Sequence, residues 1–234
     1  MKKFLSITII IFVTLSAAFA SNWPSGYIPK NQIINIDSII GAPPSTDSLA
    51  FSSDKAAISE AAFSQNKNTT DYKLAIHDAS NDQDVHIADF SKAFGQEITK
   101  DKTPAIYTLL NRSTTDVSNI KQSAKEKYQR IRPFVFFDRK PCDPDEDPSI
   151  YSYPSGHSSR AWNYAMILAE LKPQTAKQLF ELADRKSQSR VICGVHWKSD
   201  IQAARTVALA NFAILNGNQD FLKDLEKARQ EINQ

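Results

Sequence analysis

SGHSSRAWNYAMILAEL, residues 155–171, reads as a strong helix with Ser155 at its start. Pro173 opens a second helix that runs to about Arg190. KSDIQAARTVALANFAILNG follows and ends at Gly217, a residue suited to a helix C-terminus. DFLKDLEKARQEI has the period of an amphipathic last helix. Upstream the same period recurs. SSDKAAISEAAFSQ has Ser and Asp at its N-cap and alanine-rich helix formers behind them, and TTDYKLAIHDAS is similar. DVHIADFSKAFGQEI puts Val85, Ile87, Phe90 and Phe94 near one face. TPAIYTLL carries Pro in its first turn, and TDVSNIKQSAKEKYQRIRP opens on a Thr or Asp cap and stops at Pro133. No stretch alternates as a strand and no repeat is visible, so the pattern predicts one all-α domain of eight or more helices.

The chain has 234 residues, 41% hydrophobic and 23% charged, which is globular composition. Its formal charge of +2 comes from Lys2 and Lys3 at the extreme N-terminus and gives no footprint for nucleic acid. Residues 1–20 read as a cleaved signal peptide: Lys2 and Lys3, an apolar run from Phe4 to Leu15, and an Ala18-Phe19-Ala20 cleavage site. The run is short for a membrane anchor, and no later segment is apolar for long enough to span. Residues 21–234 then form the mature domain, formally neutral, with an irregular lead-in over 21–47 marked by Pro24, Pro29, Pro43 and Pro44. The address expected is the periplasm, with secretion to the medium as the alternative. Cys142 and Cys193 form an even pair that permits a disulfide in an exported protein. Cys193, between Val191, Ile192 and Val195, reads equally well as a buried free thiol.

Residues 138–154, DRKPCDPDEDPSIYSYP, hold four prolines and form a long loop. Its Asp143, Asp145, Glu146 and Asp147 either border a pocket or form a solvated acidic loop, the simpler reading. Around this loop lie three stretches with chemistry. Lys125 and Arg132 are seven apart, two turns if helical, so both cations would share a face. Pro154-Ser155-Gly156-His157 lies at a loop-to-helix junction, where free N–H groups and the dipole suit an anion and Gly156 admits close approach. SRVICGVHWKSD, residues 189–200, carries Arg190, His196 and Asp200, with Asp200 within reach of the imidazole if the segment is helical. Singly, each has a bland reading as a solvated face, a cap or a structural histidine. His77 and His86 sit in ordinary polar helix surroundings and are assigned no role.

Together these residues resemble the signature of the type 2 phosphatidic acid phosphatase superfamily, K-x6-RP, PSGH and SR-x5-H-x3-D, with every specified residue and internal spacing present. Within it the chain looks like the secreted class A bacterial nonspecific acid phosphatases. AFGQEIT, EKYQRIRPF, SYPSGH and SQSRVICGVHWKSD carry the likeness from about Val85 to the C-terminus, whereas residues 57–80 depart from it. The resemblance implies a single helical-bundle domain of the acid phosphatase/vanadium-dependent haloperoxidase type. It implies His196 as nucleophile, Asp200 as the group holding its ring, and His157 as general acid. Lys125, Arg132, Arg190, Ser155 and the Gly156 N–H would bind phosphate. Substrates would be phosphate monoesters such as sugar phosphates, nucleotides and aryl phosphates, with phosphotransfer to alcohols chemically open. Three fixed cations can replace a metal, so neither metal nor cofactor is expected. A homodimer or larger homo-oligomer is also implied. A vanadate-dependent haloperoxidase and a non-catalytic periplasmic phosphate-binding protein are the alternatives, and the paired histidines argue against the second. A membrane lipid phosphatase would need spanning helices, which are not visible.

Overall fold

The computed structural model describes residues 24–58, 62 and 68–232 and has no strand among them. The signal-peptide reading of residues 1–20 lies outside the described residues. The helices are α1 (Asp37–Ile40), α2 (Leu49–Ala57), α3 (Thr70–His77), α4 (Gln83–Phe94), α5 (Pro104–Tyr128), α6 (Pro133–Phe136), α7 (Gly156–Leu171), α8 (Ala176–Ile192), α9 (Lys198–Leu215) and α10 (Gln219–Gln230). None is long and apolar enough to cross a membrane.

Local chemistry sets the ends. Asp82 accepts the Asp84 N–H at the start of α4, and Gly95 closes that helix at φ 73°, where a side chain would be strained. α2 begins earlier than SSDK suggested, because Ser48 accepts the Phe51 N–H at 3.1 Å. Asp54 is therefore inside α2, buried against Arg130, rather than at its cap. Most of the remainder of SSDKAAISEAAFSQ lies outside the described residues.

The two segments predicted on either side of residues 111–114 form a single helix, α5. The polar run there does not cap a new start. Ser113 and Thr114 hydroxyls donate back to the Leu110 carbonyl at 3.1 and 2.8 Å. Asp116 instead accepts the N–H groups of Tyr27 and Ile28 at 2.9 and 3.0 Å. That clamp fixes the lead-in, and a Cβ on Gly26 would fall 2.0 Å from an Asp116 oxygen. Tyr27 then lies edge-on to Phe221 of α10 and under the Arg112 guanidinium.

α7 is buried on nearly all sides, from Ser158 to Leu168, as befits a central helix. It packs on α8, α9 and α5. Asn163 donates to Ser113 on α5 and accepts from Asn211 on α9, both at 2.8 Å, so three helices share one buried polar contact. Phe90, Phe94, Leu109, Ile120 and Phe221 fill the core around it; complete burial of such a side chain is worth about 2 kcal/mol.

Cys142 and Cys193 are joined by a disulfide across 51 residues of sequence. It ties the Pro-rich loop to the end of α8, beside a backbone bond from Cys142 N–H to Cys193 O. Closing a loop of this length stabilises by about 4 kcal/mol in the chain-entropy treatment. The Cys142→Ser/Cys193→Ser protein is expected to lose about 2–4 kcal/mol in urea unfolding. Unfolding midpoints equal to those of the parent would contradict this.

Candidate active site

The three signature stretches meet at one end of α5, α7 and α8. A cavity of about 310 Å³ there is lined by Lys125, Arg132, Gly156, His157 and His196, together with Lys121 and residues of the acidic loop.

Lys125 lies in the last turn of α5 and donates to the Tyr151 carbonyl. Arg132 does not follow it on that helix, as the spacing suggested. α5 ends at Gln129, in left-handed conformation at φ 44°, and Arg132 becomes the N-cap residue of the short α6. The two cations converge because the chain turns between them. Arg132 is held by its own surroundings: Nε donates to Ile150 O at 2.7 Å and Nη1 to Val195 O at 3.0 Å. Arg190, near the end of α8, is completely buried, and its Nε and Nη1 have no partner among the described residues. Two buried guanidinium donors left unpaired are costly unless an anion takes them.

Ser155 is the N-cap residue of α7; its hydroxyl accepts the Ser158 N–H at 3.4 Å. Its own N–H donates to Asp200 O at 3.2 Å, which locks the second stretch to the third. Gly156 occupies the first helical position, and a Cβ there would lie 2.9 Å from the Lys121 side chain.

His196 is 2% exposed. Its Nδ1 is 3.4 Å from Asp200 Oδ2, and its Nε2 is 3.4 Å from Arg132 Nη1. The four-residue spacing does not act through a helix, since α9 starts only at Lys198. Asp200 turns back instead, accepting the Trp197 N–H at 2.8 Å and so capping α9 while facing the imidazole. Burial pushes the Asp200 carboxyl above its usual range, against the pull of Arg130, whose Nη1 donates to Oδ1 at 2.6 Å. Burial, with Arg132, Lys125 and Arg190 nearby, holds His196 neutral, well below the imidazole range. With Nδ1–H donated to Asp200, Nε2 carries the lone pair, which faces Arg132 Nη1.

His157, half-buried, points Nε2 at the Ser80 carbonyl, 3.1 Å away. Burial, then Arg190, Arg160 and His86, hold it too well below its ordinary range. Lys125 is pushed down to about 7 by burial, then by Arg132 and Lys121.

Several neighbours were left open or given no role in the sequence. Glu146 bridges the arginines, Oε1 to Arg132 at 2.8 Å and Oε2 to Arg190 at 3.1 Å, so the acidic loop borders the pocket. Arg130 joins Asp54 to Asp200 beneath His196. His86 is not in ordinary polar surroundings: it is buried, edge-on to His157 at 5.8 Å and beside Arg160 and Lys186. Burial, then Arg160 and Lys186, take it down to about 3. These side chains come from positions tens of residues away, and only the periodic burial of α4 hinted that His86 faces inward. His77, Asp78 and Asp89 bring possible ligand atoms within 4.8 Å, but the Lys186 ammonium sits between the carboxylates at 2.7 Å from each.

Residues 105–219 match the model of the PAP2 superfamily. The chain is 37% identical over 210 residues to a non-specific acid phosphatase of Providencia stuartii, covering 88% of this chain and 84% of that one. It is 34% identical to a non-specific acid phosphatase of Salmonella typhimurium, over 86% and 82%. An acid phosphatase of Zymomonas mobilis is 36% identical over 72% of this chain and 65% of its own. In fold the chain is similar to a transmembrane PAP2 type phosphatidylglycerolphosphate phosphatase from Bacillus subtilis, with a TM-score of 0.51, 22% identity and coverage of 75% and 89%.

Proposed function

The chain belongs to the PAP2 superfamily as an acid phosphatase, alongside the bacterial non-specific enzymes, and from that premise we propose that it hydrolyses phosphate monoesters through a phosphohistidine on His196. The observation that carries this reading is that a neutral His196 and His157 line one cavity, with the unpaired Arg190 donors near both.

In the first step Nε2 attacks phosphorus and the ester P–O bond breaks. His157 protonates the departing oxygen. Asp200 holds Nδ1–H and balances the imidazolium that forms. In the second step His157 takes a proton from water, water oxygen attacks phosphorus and the P–N bond breaks. Inorganic phosphate leaves and both histidines return to their starting states. An alcohol in place of water would give phosphotransfer. Lys125, Arg132, Arg190, Ser155 and the Gly156 N–H stabilise the three non-transferring oxygens.

The free enzyme suits the nucleophile better than the acid, since burial, and then its cations, keep both histidines neutral. A bound phosphate dianion offsets those cations and returns His157 towards its protonated form. Substrate therefore supplies the condition for its own leaving-group protonation.

Residues 1–20 fit an export signal, and action in the periplasm or medium suits the disulfide. The mature protein, residues 21–234, is expected to hydrolyse p-nitrophenyl phosphate rapidly at about pH 5 to 7. EDTA should leave the rate untouched and orthovanadate should block it. As pH rises through about 7, Lys125 gives up its charge and kcat/KM should fall, by about tenfold per unit. Lys125→Arg should move that limb upward. Absence of hydrolysis by folded protein would overturn the reading.

A further inference from the structure

We infer that Glu146 is an internal competitor for the phosphate cradle, which the substrate's phosphoryl group must displace, and that it thereby sets the enzyme's affinity for phosphate esters. The inference rests on the phosphatase reading above and concerns a residue outside the superfamily signature.

The carboxylate stands where an oxyanion is wanted. Each of its oxygens takes one guanidinium, Oε1 on Arg132 Nη2 at 2.8 Å and Oε2 on Arg190 Nη2 at 3.1 Å, and the two arginines come from different signature stretches. Two oxygens of a phosphoryl group would ask for the same two nitrogens. Arg132 has little else to offer. Its Nε is spent on Ile150 O, and its Nη1 on Val195 O and the His196 ring. A phosphate dianion reaching Nη2 would meet the Glu146 carboxylate in a largely buried pocket, where like charges repel strongly. Arg190 keeps Nε and Nη1 without a partner, so a phosphoryl group that displaces Glu146 can gain donors the carboxylate leaves unused.

The loop is arranged to release it. The disulfide anchors one end at Cys142, and Ser152 N–H anchors the other on Arg130 O at 2.8 Å. Between them Asp145 and Ser149 N–H groups bond within the loop, to Asp143 and Asp147. The bonds that reach inward end on cations: Glu146 on two arginines, Ile150 O on Arg132, Tyr151 O on Lys125. Phosphate that takes those cations loosens the segment's hold.

Glu146→Gln keeps the shape and removes the charge. It is expected to lower KM for p-nitrophenyl phosphate and Ki for inorganic phosphate by about tenfold, the scale of a charged hydrogen bond. If Glu146 instead braces the arginines for substrate, both constants rise; a rise, or no change, overturns the proposal. A second readout uses the unaltered protein and survives a variant that fails to fold. Saturating inorganic phosphate should accelerate amide hydrogen exchange across residues 143–150, the opposite of ordinary ligand protection. Protection of those amides would overturn the proposal. Lack of turnover by the parent enzyme would fall on the phosphatase reading, whereas the exchange response to phosphate still reads the hold of Glu146 and its loop on the cradle.

Discussion

His196→Ala is expected to lower turnover of p-nitrophenyl phosphate by about 10⁴-fold or more, with the helical fold retained. The size follows from what is lost. Without Nε2 the proposed phosphoenzyme cannot form, and water would have to attack phosphorus directly. The cradle remains, so substrate should still bind and KM should move far less than kcat. Stability should change modestly. The ring is buried, and its removal opens a small cavity, but it also relieves a neutral imidazole wedged among Arg132, Lys125 and Arg190. Far-ultraviolet dichroism and a melting curve would verify the fold beside the kinetics. Brief cold alkaline quenching of the parent enzyme during turnover should trap phosphate on the His196 peptide. A folded His196→Ala protein with near-normal turnover, or a phosphate-free peptide at saturation, would remove His196 as nucleophile.

The residues of the cavity were legible before its geometry was. Spacing named Lys125 and Arg132 together, yet the helical face that was to unite them ends at Gln129. What brings them together is a left-handed residue and a turn into α6, and a left-handed Gln gives no warning in the chain, as Gly would. His196 and Asp200 likewise were paired by a four-residue interval that belongs to helices, whereas the contact arises from a carboxylate folded back over a helix start. Ser155 and Gly156 were read at their true places because capping is local chemistry. Helix existence followed periodicity well, except where Thr115 and Asp116 looked like a cap and are taken up by the lead-in instead, at the Pro24 carbonyl and the Tyr27 and Ile28 N–H groups. The sequence left Glu146 between a pocket border and a solvated loop, made Asp54 a cap, gave His86 no role and did not single out Arg130, all for one reason. Each acts through a partner tens of residues away, and nothing in a local window marks a carboxylate that will find a guanidinium there.

Asp200 is where stability and the proposed chemistry draw on the same carboxylate, and two substitutions separate them. Oδ1 receives Arg130 Nη1 at 2.6 Å, while Oδ2 receives the Trp197 N–H at 2.8 Å and faces His196 Nδ1 at 3.4 Å. All of this is buried, and Arg130 is fixed further by Asp54 at 2.7 Å and Ser199 at 2.7 Å. Asp200→Ala leaves a buried guanidinium short of one counter-charge and an uncapped helix start, and is expected to cost about 3–5 kcal/mol in urea unfolding. Asp200→Asn keeps an oxygen for the Trp197 N–H and should cost less. It no longer balances an imidazolium, because the atom that faces Nδ1 is then a neutral amide oxygen, and its NH2 is turned on Arg130. Turnover should therefore fall by about 10³–10⁴-fold. If Asp200 were only a helix cap, Asn, a good capping residue, would restore both stability and rate. A stable Asp200→Asn protein with normal kcat would assign it that lesser role. A stable protein with kcat lost and KM little changed would make Asp200 the group that readies His196 for phosphorus.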